Sequence, residues 1–389
     1  MKAFLLVLAF LVPAVASVAS RSFVSQNRLG EIEYREIVSS SYQLDRLYLS
    51  MTGPSSNRSG VQILPGQPRQ LLWLTGLSTK VVTPNSTEEI SPEFFCHANL
   101  TFDPTRTNPA RHNAQFANRT HADWRLFTLV PGRLDLQLPS GFGVPIYSDT
   151  SLDYFSMSLN QNVTDRTVQV QFVSKLAFQR DAELKQKPRA LYRRSLYVLV
   201  PIAAGLPHPH GGHNEHPGEG CGDLGTSIAS GDKHPGRSAT AGGVLPSFGD
   251  GVTIHWLVPP GEHEYRTAVT DQLKLAQLST AQVNTAQVNT AQPNTVHYAT
   301  AHLHPYGKEL ELFNLTTGHS VFSIRSKDFS DRIGVAEIEQ FSSTLGVPIN
   351  PEHQFELRAR YFNPTSQDID AMAILYLYLE EPNFVSIEG

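Results

Sequence analysis

Two cysteines, Cys96 and Cys221, are all that 389 residues contain. Stability from a disulfide framework is excluded, and a hydrophobic core must hold the chain together. Charge is also sparse: Asp, Glu, Lys and Arg make up 17% of the residues and the net charge is −5. With no basic stripe and no aromatic–basic patch, nucleic acid is not an expected partner. Beyond the first residues no apolar run is long enough to cross a bilayer, so no membrane span is expected. Helical periodicity is scarce, with Asp181–Lys187 and Asp271–Leu278 as the best segments, both short. Hydrolase and nucleotide signatures (Gly-x-Ser-x-Gly, HExxH, the P-loop) are missing, and no pair of carboxylates stands out as general acid and base.

What is present begins at the N-terminus. Met1 and Lys2 precede an apolar run, Ala3 to Ala16, that ends in small residues. Ala14-Val15-Ala16 fits a cleavage signal, with Val18-Ala19-Ser20 as a second choice, so residues 1–20 read as a signal peptide. The mature chain is expected to be secreted or otherwise extracytoplasmic. Six Asn-x-Ser/Thr sequons, at Asn57, Asn85, Asn99, Asn118, Asn162 and Asn314, permit glycosylation in a eukaryotic secretory route.

Short runs rich in β-branched and aromatic residues recur between Pro, Gly, Asn and Asp clusters. They cover Gln70–Thr75, Phe94–Phe102, Arg166–Val173, Ser195–Ile202, Val252–Val258, Glu309–Leu315, Phe355–Tyr361 and Ala371–Leu379. This spacing predicts an all-β fold, with tandem jelly-roll sandwiches as the expected form. Length suggests two domains, divided near residue 190 into 21–190 and 191–389. Residues 206–248 are dominated by Gly, Pro, His and Ser and read as a long surface insertion. Residues 280–294 hold three near-identical pentads, too short for a solenoid and consistent with a duplicated loop.

Candidate chemistry centres on His302-Leu303-His304. Alternate strand residues share a face, so the two imidazoles can stand side by side. Met372 lies in a second strand-like run, and a thioether near two imidazoles suits copper moving between Cu(I) and Cu(II). His297, five residues before His302, falls on the opposite face of a continuous strand and reads as structural. The bland alternative is two histidines facing solvent and a methionine filling the core.

These marks resemble the copper type II, ascorbate-dependent monooxygenases, the group of peptidylglycine α-hydroxylating monooxygenase and dopamine β-monooxygenase. In their second domain a Pro-Pro-Gly-Glu turn (here Pro259-Pro260-Gly261-Glu262) precedes an HxH strand ending in Gly (His302, His304, Gly307). A strand with a Met ligand and a Tyr four positions later follows (Met372, Tyr376). The first half carries fainter likenesses in Leu138-Pro139-Ser140-Gly141-Phe142-Gly143 and in Tyr154–Leu159. The resemblance implies two jelly rolls, each with a copper, across an open cleft. It implies one copper ion on His302, His304 and Met372, ascorbate or another reductant, and hydroxylation of a small-molecule or peptide substrate with Tyr376 as a binding residue.

The chain also departs from that pattern. The family's paired first-domain histidines appear as Cys96-His97, and Asn160 stands where its third histidine would be. The arginine that anchors a peptide carboxylate is Thr300, so a free C-terminus is a poor substrate group. His97 is read either as part of an altered metal site, completed by His112 or His121, or as a structural histidine beside a buried or Cys221-bridged Cys96. Because neighbours on a strand face opposite ways, Cys96 and His97 can share an ion only where the backbone is irregular. His208, His210, His213 and His216 form a loose metal-collecting tract or a solvated loop. His255 and the His263-Glu264 pair fit no coherent site. Three readings therefore stand together: a single-copper hydroxylase, a non-catalytic copper-binding or copper-handling protein, and a structural or adhesion module.

Overall fold

The computed structural model describes residues 31–48, 52–103, 125–201, 252–274, 294–382 and 384. Residues 1–20, expected to be a signal peptide, the His-rich tract with Cys221, His112, His121, Asn118 and nearly all of the pentads lie outside the described residues.

The all-β expectation holds. The first half forms β1 (Glu33–Val38), β2 (Tyr42–Leu44), β3 (Ser55–Val61), β4 (Leu71–Val82), β5 (Phe95–Phe102), β6 (Arg125–Leu129), β7 (Asp135–Gln137), β8 (Phe142–Tyr147), β9 (Leu152–Ser158) and β10 (Val168–Arg180). The second half begins with β11 (Arg189–Tyr197), β12 (Val200–Pro201), β13 (Val252–Thr253), β14 (Trp256–Val258) and β15 (Gly261–Ala268). It continues with β16 (Asn294–Leu303), β17 (Gly307–Asn314), β18 (His319–Asp328), β19 (Val335–Ile338), β20 (Gln340–Ile349), β21 (Phe355–Asn363), β22 (Ile369–Ala371) and β23 (Ala373–Glu380). Of the two helical expectations, the first is a 3-10 turn at Asp181–Glu183, and the described part of the second is helical as α1 (Thr270–Lys274), with residues 275–278 outside the described residues. Leu184 already has extended backbone (φ −87°, ψ 124°), so the first segment cannot continue as helix.

One long sheet runs β1-β10-β4-β8-β11-β23-β16-β20, with β2 added on β10 and β7 on β4. The halves join within it, where β8 and β11 pair in parallel through Phe142 with Arg189 and Gly143 with Ala190. A sheet of order β3-β9-β5-β6 covers the first half, and one of order β15-β21-β17-β18-β19 covers the second. The expected boundary at residue 190 therefore falls inside a continuous sheet. Each core also borrows across it: Tyr298 and Tyr378 pack into the first-half core, while Cys96, Val130, Met157 and Leu159 pack into the second.

Ordinary strands here alternate, as in β21, where Phe355, Leu357, Ala359 and Tyr361 turn inward. In β16 every residue from Val296 to Leu303 is buried. Ala299, Ala301 and Leu303 enter the second-half core, whereas Tyr298 on the opposite face enters that of the first half. A strand covered on both faces has no solvent side, so its polar residues must be satisfied inside the protein. That requirement falls on Thr300, His302 and His304.

Candidate metal centre

His302 and His304 are 3% and 6% exposed, and their ring centroids lie 5.2 Å apart at 85°. The reading of solvent-facing histidines is thereby overturned. A tight turn fixes this end of β16: Gly307 N–H donates to the His304 carbonyl (3.1 Å), and Tyr306 at φ 70° donates its N–H to Asp328 (3.1 Å). A side chain at position 307 would press on the His304 carbonyl, Leu303 and the Tyr361 ring at 3.1–3.2 Å, so glycine is needed for close approach.

Met372 sits in the one-residue break between β22 and β23. On one side Leu303 pairs with Ala373 and His302 with Ile374; on the other Trp256 pairs with Ala371. Met372 therefore lies between the ends of two ladders, one next to His304 in sequence and the other next to His255. Met372 is fully buried, and the Tyr361 hydroxyl donates to its carbonyl at 2.7 Å.

Sequence reasoning left His255 and Asp370 out of any site, and the structure corrects this for both. His255, His304 and Asp370 each bring a potential ligand atom within 4.8 Å of the others. Asp370 Oδ2 lies 2.9 Å from His304 Nδ1, and Asp370 Oδ1 lies 3.8 Å from His255 Nδ1. The His255 and His304 rings are 5.7 Å apart, so His304 neighbours both His255 and His302. Burial works against ionisation of Asp370, but the charges and hydrogen bonds of His304 and His255 outweigh it and hold the carboxyl well below the usual range. One clue was legible: Asp370 precedes Met372 by two and so shares its face. His255 gave none, because the strand that brings it here, β14, is three residues long.

The histidine end of β16 opens on a narrow crevice between the halves, lined also by Glu93, Cys96, Gln161 and Phe329. Cys96 and His97 sit at a β-bulge, where the pairing of β5 with β9 shifts between Phe95 and His97. The irregular backbone that a shared ion would need is thus present, and Cys96 Sγ lies 3.1 Å from His97 Nδ1. His97 also stacks on Phe155 at 5.3 Å. Asn160 has a different task. Its Nδ2 donates to the carbonyls of Arg46 and Val163, both at 2.8 Å, while its Oδ1 accepts from the N–H groups of Asn162 and Val163.

Tyr376 is 3% exposed, lies under the Arg193 guanidinium at 4.4 Å and does not line the crevice. His297 falls at a bulge in β16, where Nδ1 accompanies the Ser343 carbonyl (3.0 Å) and the ring packs on Phe142 at 4.1 Å. His263 lies on β15, paired with Tyr361, with Nε2 3.2 Å from the Pro260 carbonyl.

These features define an all-β protein with a buried imidazole–carboxylate cluster at the seam between its halves. No protein-family model matches the chain, and no curated protein matches it. Among solved structures it is similar to the major capsid protein P2 of bacteriophage PM2 (8% identity, TM-score 0.26, 91% of this chain and 100% of that one). It is also similar to N-glycanase F (8% identity, TM-score 0.34, 91% and 97%). At such scores neither likeness carries a functional argument. No helix among the described residues is long and apolar enough to cross a membrane.

Proposed function

We propose that this chain is an exported copper-binding protein related to the type II copper monooxygenases, with tandem jelly rolls and one copper held by His302, His304 and Met372. The observation that carries the reading is the position of Met372, fully buried at the end of the ladder in which His302 pairs with Ile374 and Leu303, next to His304, pairs with Ala373. The donor set fits the metal: two imidazoles and a thioether are borderline and soft, and their burial favours Cu(I). In this reading Asp370 holds His304 through Nδ1, so Nε2 is the coordinating atom, an arrangement common among metal-bound histidines.

A copper so held supplies dioxygen chemistry in the presence of a reductant such as ascorbate. The protein's own part is to orient the ligands, keep bulk water out through the narrow crevice and present Glu93 and Gln161 to a small-molecule or peptide substrate there. The first half offers Cys96 and His97 but no third histidine at Asn160, which favours a single-copper site over a two-copper relay.

Copper stoichiometry tests the reading, comparing the mature protein with a His302→Ala/His304→Ala variant and with a chain lacking 206–248. One copper lost with the two histidines and kept without the loop supports it. Copper lost only with the loop ends the enzyme interpretation. Met372→Ala is expected to weaken Cu(I) far more than Cu(II), and equal effects on both count against the ligand set.

A further inference from the structure

His304 also belongs to a second donor set, in which His255, absent from the copper reading, is a ligand and Asp370 is a ligand rather than an orienting partner. All three side chains are largely buried, with Asp370 the most open at 21%. Both histidines turn Nδ1 toward the carboxylate, at 2.9 and 3.8 Å. In a tetrahedral centre with bonds of about 2.1 Å, donors stand about 3.4 Å apart. The two histidine–carboxylate separations fall on either side of that spacing, and one ligand atom from each of the three residues lies within 4.8 Å of the others.

The backbone is set for this as well. Thr253 Oγ1 bonds both the N–H and the carbonyl of His255, at 3.1 and 2.8 Å, fixing the residue just before β14. Asp370 is anchored in β22, whose pairing with β14 matches it to Leu257. Two nitrogens and a carboxylate, with no sulfur, form a harder set than two nitrogens and a thioether.

We propose that His255, His304 and Asp370 form a binding site for a divalent cation of the zinc class, with three protein ligands and a further position left to water or substrate. The site stands independently of the copper reading, although the two sets share one residue. A neutral imidazole has a single lone-pair nitrogen. His304 can therefore coordinate through Nδ1, toward His255 and Asp370, or through Nε2 in the copper set, but not both. Zinc-class and copper ions accordingly compete for His304.

The test uses the full chain with His208, His210, His213 and His216 replaced by alanine, so that the His-rich tract contributes no binding. Zn(II) affinity is measured by competition with a chromophoric chelator for this protein and for His255→Gln, Asp370→Asn and His302→Ala in the same background. One Zn(II) is expected, weakened by more than about 100-fold in His255→Gln and Asp370→Asn, beyond what loss of an outer partner costs. His302→Ala should stay within a few-fold. No Zn(II) binding, or equal losses in His302→Ala and His255→Gln, overturns the proposal.

Co(II) loaded into the chain that lacks only the four tract histidines gives a readout that needs no ligand variant. Intense visible bands of a four-coordinate N/O site are expected; a thiolate charge-transfer band assigns the ion to cysteine instead and overturns the proposal. Cu(I) titration of Met372→Ala reads the copper site separately, so either assignment can fail while the other stands.

Discussion

The Tyr361 hydroxyl donates a 2.7 Å hydrogen bond to the carbonyl of Met372, inside the protein and at the break where β22 hands over to β23. That carbonyl lies where neither neighbouring strand's ladder runs through, and the phenol stands in for a backbone partner. Burial pushes the Tyr361 hydroxyl pKa far above its ordinary value, so it acts as a neutral donor at all relevant pH. Tyr361→Phe leaves the carbonyl unpaired and should cost about 1–2 kcal/mol in denaturant unfolding. If Met372 is a copper ligand, the same variant also weakens Cu(I); unchanged stability would show that the break needs no such tether.

The seam between the halves is sensitive to volume at Gly132. This residue has φ 77°, and an added Cβ would meet Val335 Cγ1 at 2.8 Å and the backbone of Glu337 and Ile338 at 2.9 and 3.0 Å. Its carbonyl accepts from Ile338 N–H at 3.0 Å, tying the first-half turn to β19. Gly132→Ala should destabilise by about 2–3 kcal/mol, combining left-handed strain with overpacking. Gly66→Ala, at φ 75° with nothing within 4 Å, should show the strain alone and serves as the comparison in thermal unfolding.

On the outer face of the second half, Glu264 pairs with Arg360 at 2.9 Å and with Arg266 at 2.5 Å. The hydrogen bond from Arg360 lowers the Glu264 pKa against a smaller opposing effect of burial. A carboxylate depressed in the folded state stabilises above its unfolded pKa, about 4.3, and that contribution is lost as pH falls through the folded value. Glu264→Gln should therefore cost at most about 1 kcal/mol at pH 7, and progressively less as pH falls below the unfolded value. Equal losses at pH 7 and near pH 3 would mean packing, not charge, is responsible.

Glycan acceptance should divide the sequons by burial. Asn57 and Asn85 are exposed, whereas Asn99 is 3% exposed and accepts from Thr128 Oγ1 at 2.9 Å. Asn314 is 8% exposed with Nδ2 2.9 Å from His353 Nδ1. Peptide mass spectrometry of protein made in a eukaryotic secretory host should find glycans at Asn57 and Asn85 and none at Asn99 or Asn314. A glycan on folded, soluble protein at Asn99 would contradict the burial.

The sequence by itself determined the class of fold, because β-branched and aromatic runs between turn residues leave few alternatives to strands. It also brought His302 and His304 into view as a pair on a common face, with Met372 as their candidate partner, but it left Asp370 out. It did not reveal β15, β18 or β20, where one face is solvated and polar residues dilute the apolar signal, charged ones such as Glu262, Glu264 and Arg325 in the first two and uncharged ones such as Gln340 and Ser342 in the third. Nor did it show that β16 is covered on both sides, which turns two apparent surface histidines into buried ones. The inclusion of His255 was decided by tertiary structure alone: 115 residues separate it from Asp370. Only the pairing of β14 with β22 sets their side chains together. Periodicity fixes which residues of one strand share a face; which strands become neighbours depends on long-range packing that no local pattern records.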